Sequence, residues 1–157
     1  MEFQYASGVY SFRVSQVLNI SIDEAWAFFS SPKNLEAITP KDLSFKITSN
    51  DLGTIHNGQI VTYRIGLFPL IKTNWVSEIR EVDDRKAFVD YQLKGPYKLW
   101  HHRHSFEAVE EGTLVTDVVH FKLPFGIIQK LAFKLIVKPK LTKIFNYRKT
   151  YLSEMFE

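Results

Sequence analysis

Two histidines and a carboxylate at strand spacing are the residues in this chain best placed to do chemistry. In the stretch Trp100-His101-His102-Arg103-His104-Ser105-Phe106, an extended backbone sends alternate side chains to opposite faces. Trp100, His102, His104 and Phe106 then share one face, and Leu99, His101, Arg103 and Ser105 the other. The aromatic ends of the first set turn it inward. A neighbouring segment repeats the pattern with Val115, Asp117, Val119 and Phe121, and an earlier one with Phe88, Asp90 and Gln92. The opposite phase would bury Arg103 and Lys122, so pairing these segments gathers Asp90, Gln92, His102, His104 and Asp117 within an apolar surface.

Three chemistries are open to such a cluster. Its members can satisfy one another, since an unpaired buried polar atom costs about 1–3 kcal/mol. They can orient the polar head of a ligand whose tail lies on Trp75, Phe88, Trp100 and Phe121. A histidine beside a buried carboxylate can also serve as a general base. No nucleophile accompanies the pair, so no residue is assigned a catalytic role. His-x-His spacing with an aspartate nearby falls short of the converging set that zinc requires. No metal is assigned, and no cofactor either: Gly66 and Gly95 read as turn residues, without a phosphate cradle.

The elements that must position these groups follow from the punctuation. Val9–Leu18 alternates as an opening strand. Ser21-Ile22-Asp23-Glu24 offers a cap for a short helix carrying Ala25, Trp26, Phe28 and Phe29, which Ser31-Pro32 stops. Trp26, Phe28 and Phe29 read as core packing. A second short turn fits residues 34–38. Extended segments follow over 44–48, 59–65, 73–82, 87–93, 99–109 and 113–122, separated by Asn57-Gly58, Phe68-Pro69, Asp83-Asp84, Gly95-Pro96 and Glu111-Gly112. After Pro124 the apolar spacing of Ile128, Leu131, Leu135, Leu141, Phe145, Leu152 and Phe156 is helical, with a kink expected at Pro139. The order predicts an α+β fold in which a curved antiparallel sheet wraps a long C-terminal helix, with two short helices after the first strand. A sheet curled around a helix leaves room for a ligand, here expected to exceed roughly 300 Å³.

These segments, in this order, resemble the START and polyketide-cyclase-like helix-grip superfamily, SRPBCC. The resemblance runs through Ile22-Asp23-Glu24-Ala25-Trp26, Ser31-Pro32-Lys33-Asn34-Leu35, Ile38-Thr39-Pro40, Asp90-Tyr91-Gln92, Gly95-Pro96-Tyr97 and the Trp100–Phe106 stretch. It continues through Gly112-Thr113, Val115-Thr116-Asp117 and Leu123-Pro124-Phe125-Gly126 to Phe145-Asn146-Tyr147-Arg148, and so spans nearly the whole chain. It implies the helix-grip fold and a hydrophobic cavity. It leaves the chemistry open, because members carry lipids, hormones or quinones, assist chaperones, or cyclise polyketides. The reading favoured here is a ligand-binding member that holds an apolar or amphipathic molecule, such as a lipid, quinone or polyketide-like compound. Its cavity is lined by Trp75, Phe88, Asp90, Gln92, Trp100, His102, His104, Asp117, Val119 and Phe121. The alternatives are a cyclase or dehydratase using the His/Asp cluster, and a carrier or adaptor docking through its terminal helix.

Composition sets the outer bounds. A chain of 157 residues, 45% hydrophobic and 15% aromatic, has material for one core and is expected to form a single domain over 1–157. The N-terminal residues lack the basic-then-apolar order of a secretory signal, and the chain has no cysteine; both point to the cytoplasm. Residues 126–157 hold seven Lys/Arg against two Glu, a local +5, which leaves −2 for the rest of a chain of net charge +3. No nucleic-acid module accompanies these charges, so nucleic acid is not expected as a partner. A solvated helix face remains open, as does peripheral contact with a membrane or an acidic protein.

Overall fold

In the computed structural model, which describes residues 1–50, 53–68 and 71–157, alternating apolar and polar side chains are drawn into one antiparallel sheet. Its strands are β1 (Phe3–Ala6), β2 (Val9–Leu18), β3 (Lys46–Ile47), β4 (Ile60–Phe68), β5 (Ile71–Asp83), β6 (Ala87–Lys94), β7 (Leu99–Val109) and β8 (Gly112–Lys122). They lie in the order β1-β2-β8-β7-β6-β5-β4-β3. Helix α1 (Ile22–Phe29) follows β2. Its first turn is closed reciprocally: Ser21 Oγ accepts from the Glu24 amide at 3.3 Å, and Glu24 Oε2 accepts from the Ser21 amide at 2.9 Å.

The sequence places the first strand at Val9, but the structure opens on a hairpin. Ser7 and Gly8 both have positive φ, 50° and 82°, the left-handed pair that closes a two-residue turn with the twist of its strands. The second short turn is displaced as well. A 3-10 turn at Pro32–Leu35 takes the place of 34–38, because Pro32 is preorganised for a first helical position, and a further one forms at Lys41–Leu43. The strand expected over 44–48 shrinks to two residues, since Ser44 turns left-handed at φ 46°. The turn expected at Phe68-Pro69 falls partly outside the described residues.

Register breaks lie between Ile65 and Phe68 on β4 and at Val76/Ser77 and Arg80/Asp83 on β5, and bulges of this kind bend and twist the strand that carries them. The β7–β8 pairing is continuous from Leu99↔Lys122 to Val109↔Gly112. The alternation inferred for 100–106 therefore holds along its whole length.

After β8 the chain makes a 3-10 turn (Gly126–Ile128) and one α-turn, α2 (Gln129–Ala132). A π-turn (Phe133–Val137) then leads into the long helix α3 (Lys138–Met155). The break expected at Pro139 takes the form of that π-turn: the helical run is continuous, and the proline follows directly in the first turn of α3, where its missing N–H removes one backbone bond to the turn before. Helix α3 buries Leu141, Phe145, Arg148 and Leu152 against the sheet. Phe145 meets the Phe12 ring edge-on at 4.9 Å, and Phe133 stacks on Tyr10 at 4.1 Å. At the other end Trp26 of α1 packs edge-on against Phe88 and Phe106, and Phe28 against Phe156 beyond α3.

Gly112 carries one of the tightest corners. It has φ 130°, and a Cβ there would stand 2.1 Å from the Leu18 carbonyl oxygen. We expect Gly112→Ala to lower stability by about 2 kcal/mol through backbone strain, read as a lower urea midpoint at unchanged slope. An unchanged midpoint would show that the β2–β8 corner gives way freely.

Candidate functional site

The continuous β7–β8 ladder puts His104 opposite Asp117 and His102 two pairs further along, opposite Val119. All three side chains are buried. His102 Nε2 lies 2.7 Å from Asp117 Oδ1 as a hydrogen bond. His104 Nδ1 is 2.9 Å from the same oxygen but not aligned to donate to it. Burial alone would push Asp117 up, but the two imidazoles more than offset this and hold its carboxyl well below the ordinary carboxylate range. His102 is depressed to about 3, by burial first and by its neighbour His104 next. The pair is therefore a neutral imidazole donating to a carboxylate. So depressed a histidine is a weak base, which counts against the general-base reading.

The fourth member comes from α3. Arg148 is 7% exposed, and its Nη1 is 3.8 Å from Asp117 Oδ2, beyond hydrogen-bond reach. Its Nε and Nη1 find no hydrogen-bond acceptor among the described residues, and its guanidinium lies 5.0 Å from the Phe145 ring centroid. Asp90 Oδ1 is likewise buried without a donor. Burial raises the Asp90 carboxyl, against the opposing pull of a Ser77 hydrogen bond, His104 and Arg148, so it keeps its proton to a higher pH than an exposed carboxyl does. Ser77 Oγ also accepts from Trp75 Nε1 at 3.0 Å and lies 3.4 Å from the Tyr63 hydroxyl.

These unpartnered groups face open space. One chamber of about 60 Å³ lies toward α1, walled by Phe28, Phe29, Ile55 and Phe88. A second, of about 90 Å³, lies under α3, walled by Phe45, Trp75, Tyr97, Trp100 and Phe145. Leu35, Tyr63, Asp90, His104 and Arg148 border both. The single cavity above roughly 300 Å³ expected from typical ligand sites is therefore corrected. Side chains shared by both walls, Arg148 and Tyr63 among them, fill the middle, and aromatic rings close much of the rest.

The structure sorts the sequence-derived residues. Trp75, Phe88, Asp90, Trp100, His102 and His104 border one chamber or both. Val119 and Phe121 border neither: both are fully buried, and Phe121 is taken up by rings of Tyr10, Tyr97 and Trp100. Gln92 also lies outside the two linings. Its Nε2 donates to the Tyr97 carbonyl at 2.7 Å and its Oε1 accepts from the Tyr97 amide at 3.3 Å, so it holds the Gly95-Pro96 hairpin. Asp117 opens instead on a small crevice beside Gln16 and Lys149.

Arg148 is the residue that strand alternation could not find. Helical spacing could have found it, because 141, 145, 148 and 152 form one stripe and an arginine stands where that stripe demands an apolar side chain. The ligand atoms of His102, His104 and Asp117 lie within 4.8 Å of one another, close enough to converge on a metal. The Arg148 cation beside Asp117 opposes a second positive charge there.

No family model and no curated protein matches the chain. Solved structures do. Protein Ms6760 from Mycobacterium smegmatis aligns with a TM-score of 0.67 at 16% identity, over 99% of this chain and 98% of that one. Protein CV1439 from Chromobacterium violaceum aligns with a TM-score of 0.69 at 12% identity, over 94% and 97%. Major latex-like protein 151 from Panax ginseng aligns with a TM-score of 0.67 at 12% identity, over 95% and 98%. At such identities the likeness concerns the backbone, and with the curved sheet and long terminal helix it establishes a helix-grip α+β fold.

Proposed function

We propose that this protein holds an amphipathic small molecule between its sheet and α3, with an acidic head on Arg148 and an apolar body along Trp75, Trp100 and Phe88. One observation carries the reading: a guanidinium 7% exposed, with no hydrogen-bond acceptor for Nε or Nη1 among the described residues, at the meeting point of two largely apolar chambers. A buried cation without a hydrogen-bonded counter-charge is a net cost to folding, and an anionic ligand would supply the missing acceptors. Asp117 does not compete for that role, being already held by His102. Asp90, with its raised carboxyl, can offer a proton to the same head group. Binding needs the two chambers to merge, through movement of the side chains that border both.

Trp75 and Trp100 border the larger chamber, so their fluorescence reports an occupant. An aromatic carboxylic acid such as 2-naphthoate should bind roughly tenfold or more tighter than 2-naphthol, the margin of a charge-assisted hydrogen bond. Arg148→Met should erase that preference without lowering the melting temperature. A preference that survives in the variant, or its absence in the wild type, would refute the acidic-head reading.

A further inference from the structure

The most conspicuous surface lies outside the chambers. Between residues 127 and 136 five large aliphatic side chains stand in solvent: Ile127 at 100% exposure, Ile128 at 58%, Leu131 at 60%, Leu135 at 63% and Ile136 at 43%. In sequence two sets recur at a spacing of four, Ile127-Leu131-Leu135 and Lys130-Lys134-Lys138, near the repeat of the 3-10, α and π turns that carry them. All three lysines are exposed. Between Glu111 and Glu154 the chain has a single acidic residue, Asp117, and that one is buried. Tyr5 extends the patch from β1: it is 43% exposed, its hydroxyl accepts from Gln129 Nε2 at 3.4 Å, and Lys130 Nζ lies 5.8 Å from its ring.

We infer that residues 126–138 dock the protein on an anionic lipid bilayer, with Ile127, Leu131 and Leu135 entering the interface and the lysines meeting the headgroups. The fold itself cannot cover these side chains: Gly126 turns left-handed at φ 51° with open space where a Cβ would sit, so Ile127 projects from a corner. Exposed aliphatics interleaved with long cations are the composition of a segment lying in the headgroup plane, where lysine stems lie along the apolar surface and their charges reach the phosphates. An antiparallel two-fold contact with a second copy would set one lysine row against the other, and light scattering in the test below separates any dimer from bilayer docking. Among the described residues no helix is long and apolar enough to cross a membrane; the segment would lie on the bilayer. The crevice lined by Tyr97, Phe125 and Ile136 adjoins this face, and Tyr97 also borders the larger chamber. The docking face is thus adjacent to the interior, yet the inference does not depend on what the chambers hold.

The test is co-sedimentation of the full chain with vesicles of phosphatidylcholine alone and of phosphatidylcholine mixed with phosphatidylserine. Binding is expected on the mixed vesicles and should weaken at about 0.5 M salt, where screening is nearly complete. Ile127→Asp with Leu131→Asp should abolish it, and Lys130→Gln with Lys134→Gln should weaken it roughly fivefold per lysine. All four positions are exposed, so melting temperatures should be unchanged. Three results would each overturn the inference: no binding to the mixed vesicles, binding that the double aspartate variant retains, or a wild-type dimer in light scattering that the aspartate variant dissolves.

Discussion

Asp117→Leu should destabilise the protein by about 3–5 kcal/mol, the usual consequence of removing one member of a buried charge pair. Leucine keeps the branched outline of aspartate but is larger, so overpacking adds to an electrostatic loss. His102 Nε2 loses its 2.7 Å acceptor, and Arg148 is left buried with its nearest counter-charge gone. For a chain of this size the melting temperature should fall by about 10 °C. Adding Arg148→Met should restore part of it, because the stranded cation is then gone and contacting sites are not additive. A single-variant loss below about 1 kcal/mol would mean that the cluster is solvated and the buried-network description wrong.

Acid should weaken the fold well above the pH at which its carboxylates protonate. His102 is depressed to about 3 in the folded protein against an ordinary histidine value of 6.5, chiefly by burial. At pH 7 it is neutral in both states. As pH falls below about 6.5 the unfolded chain takes up a proton that the folded protein refuses, so stability falls. By pH 4 the difference is about 2.5 units, or about 3 kcal/mol at 1.36 kcal/mol per unit. Asp117, also depressed, acts in the same direction but only at lower pH. Asp90 acts oppositely: its raised carboxyl binds a proton before the unfolded chain does, and offsets part of the loss near pH 4. Urea denaturation at pH 7 and pH 4 should show the drop. His102→Asn, which keeps a donor for Asp117 but cannot titrate here, should flatten it; an equal slope in both proteins would assign the acid sensitivity elsewhere.

The inward face of β7 and β8 was legible because strand side chains alternate strictly and the aromatic ends left one acceptable phase. That inference needed an unbroken ladder, and the breaks fall instead on β4 and β5. Cavity size was not legible. Counting aromatic residues shows how much apolar surface is available but not how tightly it closes on itself, and here rings and Arg148 fill most of the span. Gln92 shared a face with Asp90 in the sequence, yet the Gly95-Pro96 hairpin drew it to the Tyr97 backbone.

Local patterns, readable one element at a time, determined most of the element order, the α+β architecture, the buried His/Asp set and the basic character of the last segment. Only the tertiary structure decided what those groups do to one another. Whether a buried polar group is satisfied depends on partners from distant segments: Asp117 is held by His102 across a strand pair, while Arg148 of α3 and Asp90 of β6 meet at the chamber walls with donors and acceptors unfilled. Likewise the sequence spaces Ile128, Leu131 and Leu135 as one helix face, but an apolar side chain is exposed or buried only by what packs over it, and this fold leaves all three, with Ile127 beside them, in solvent.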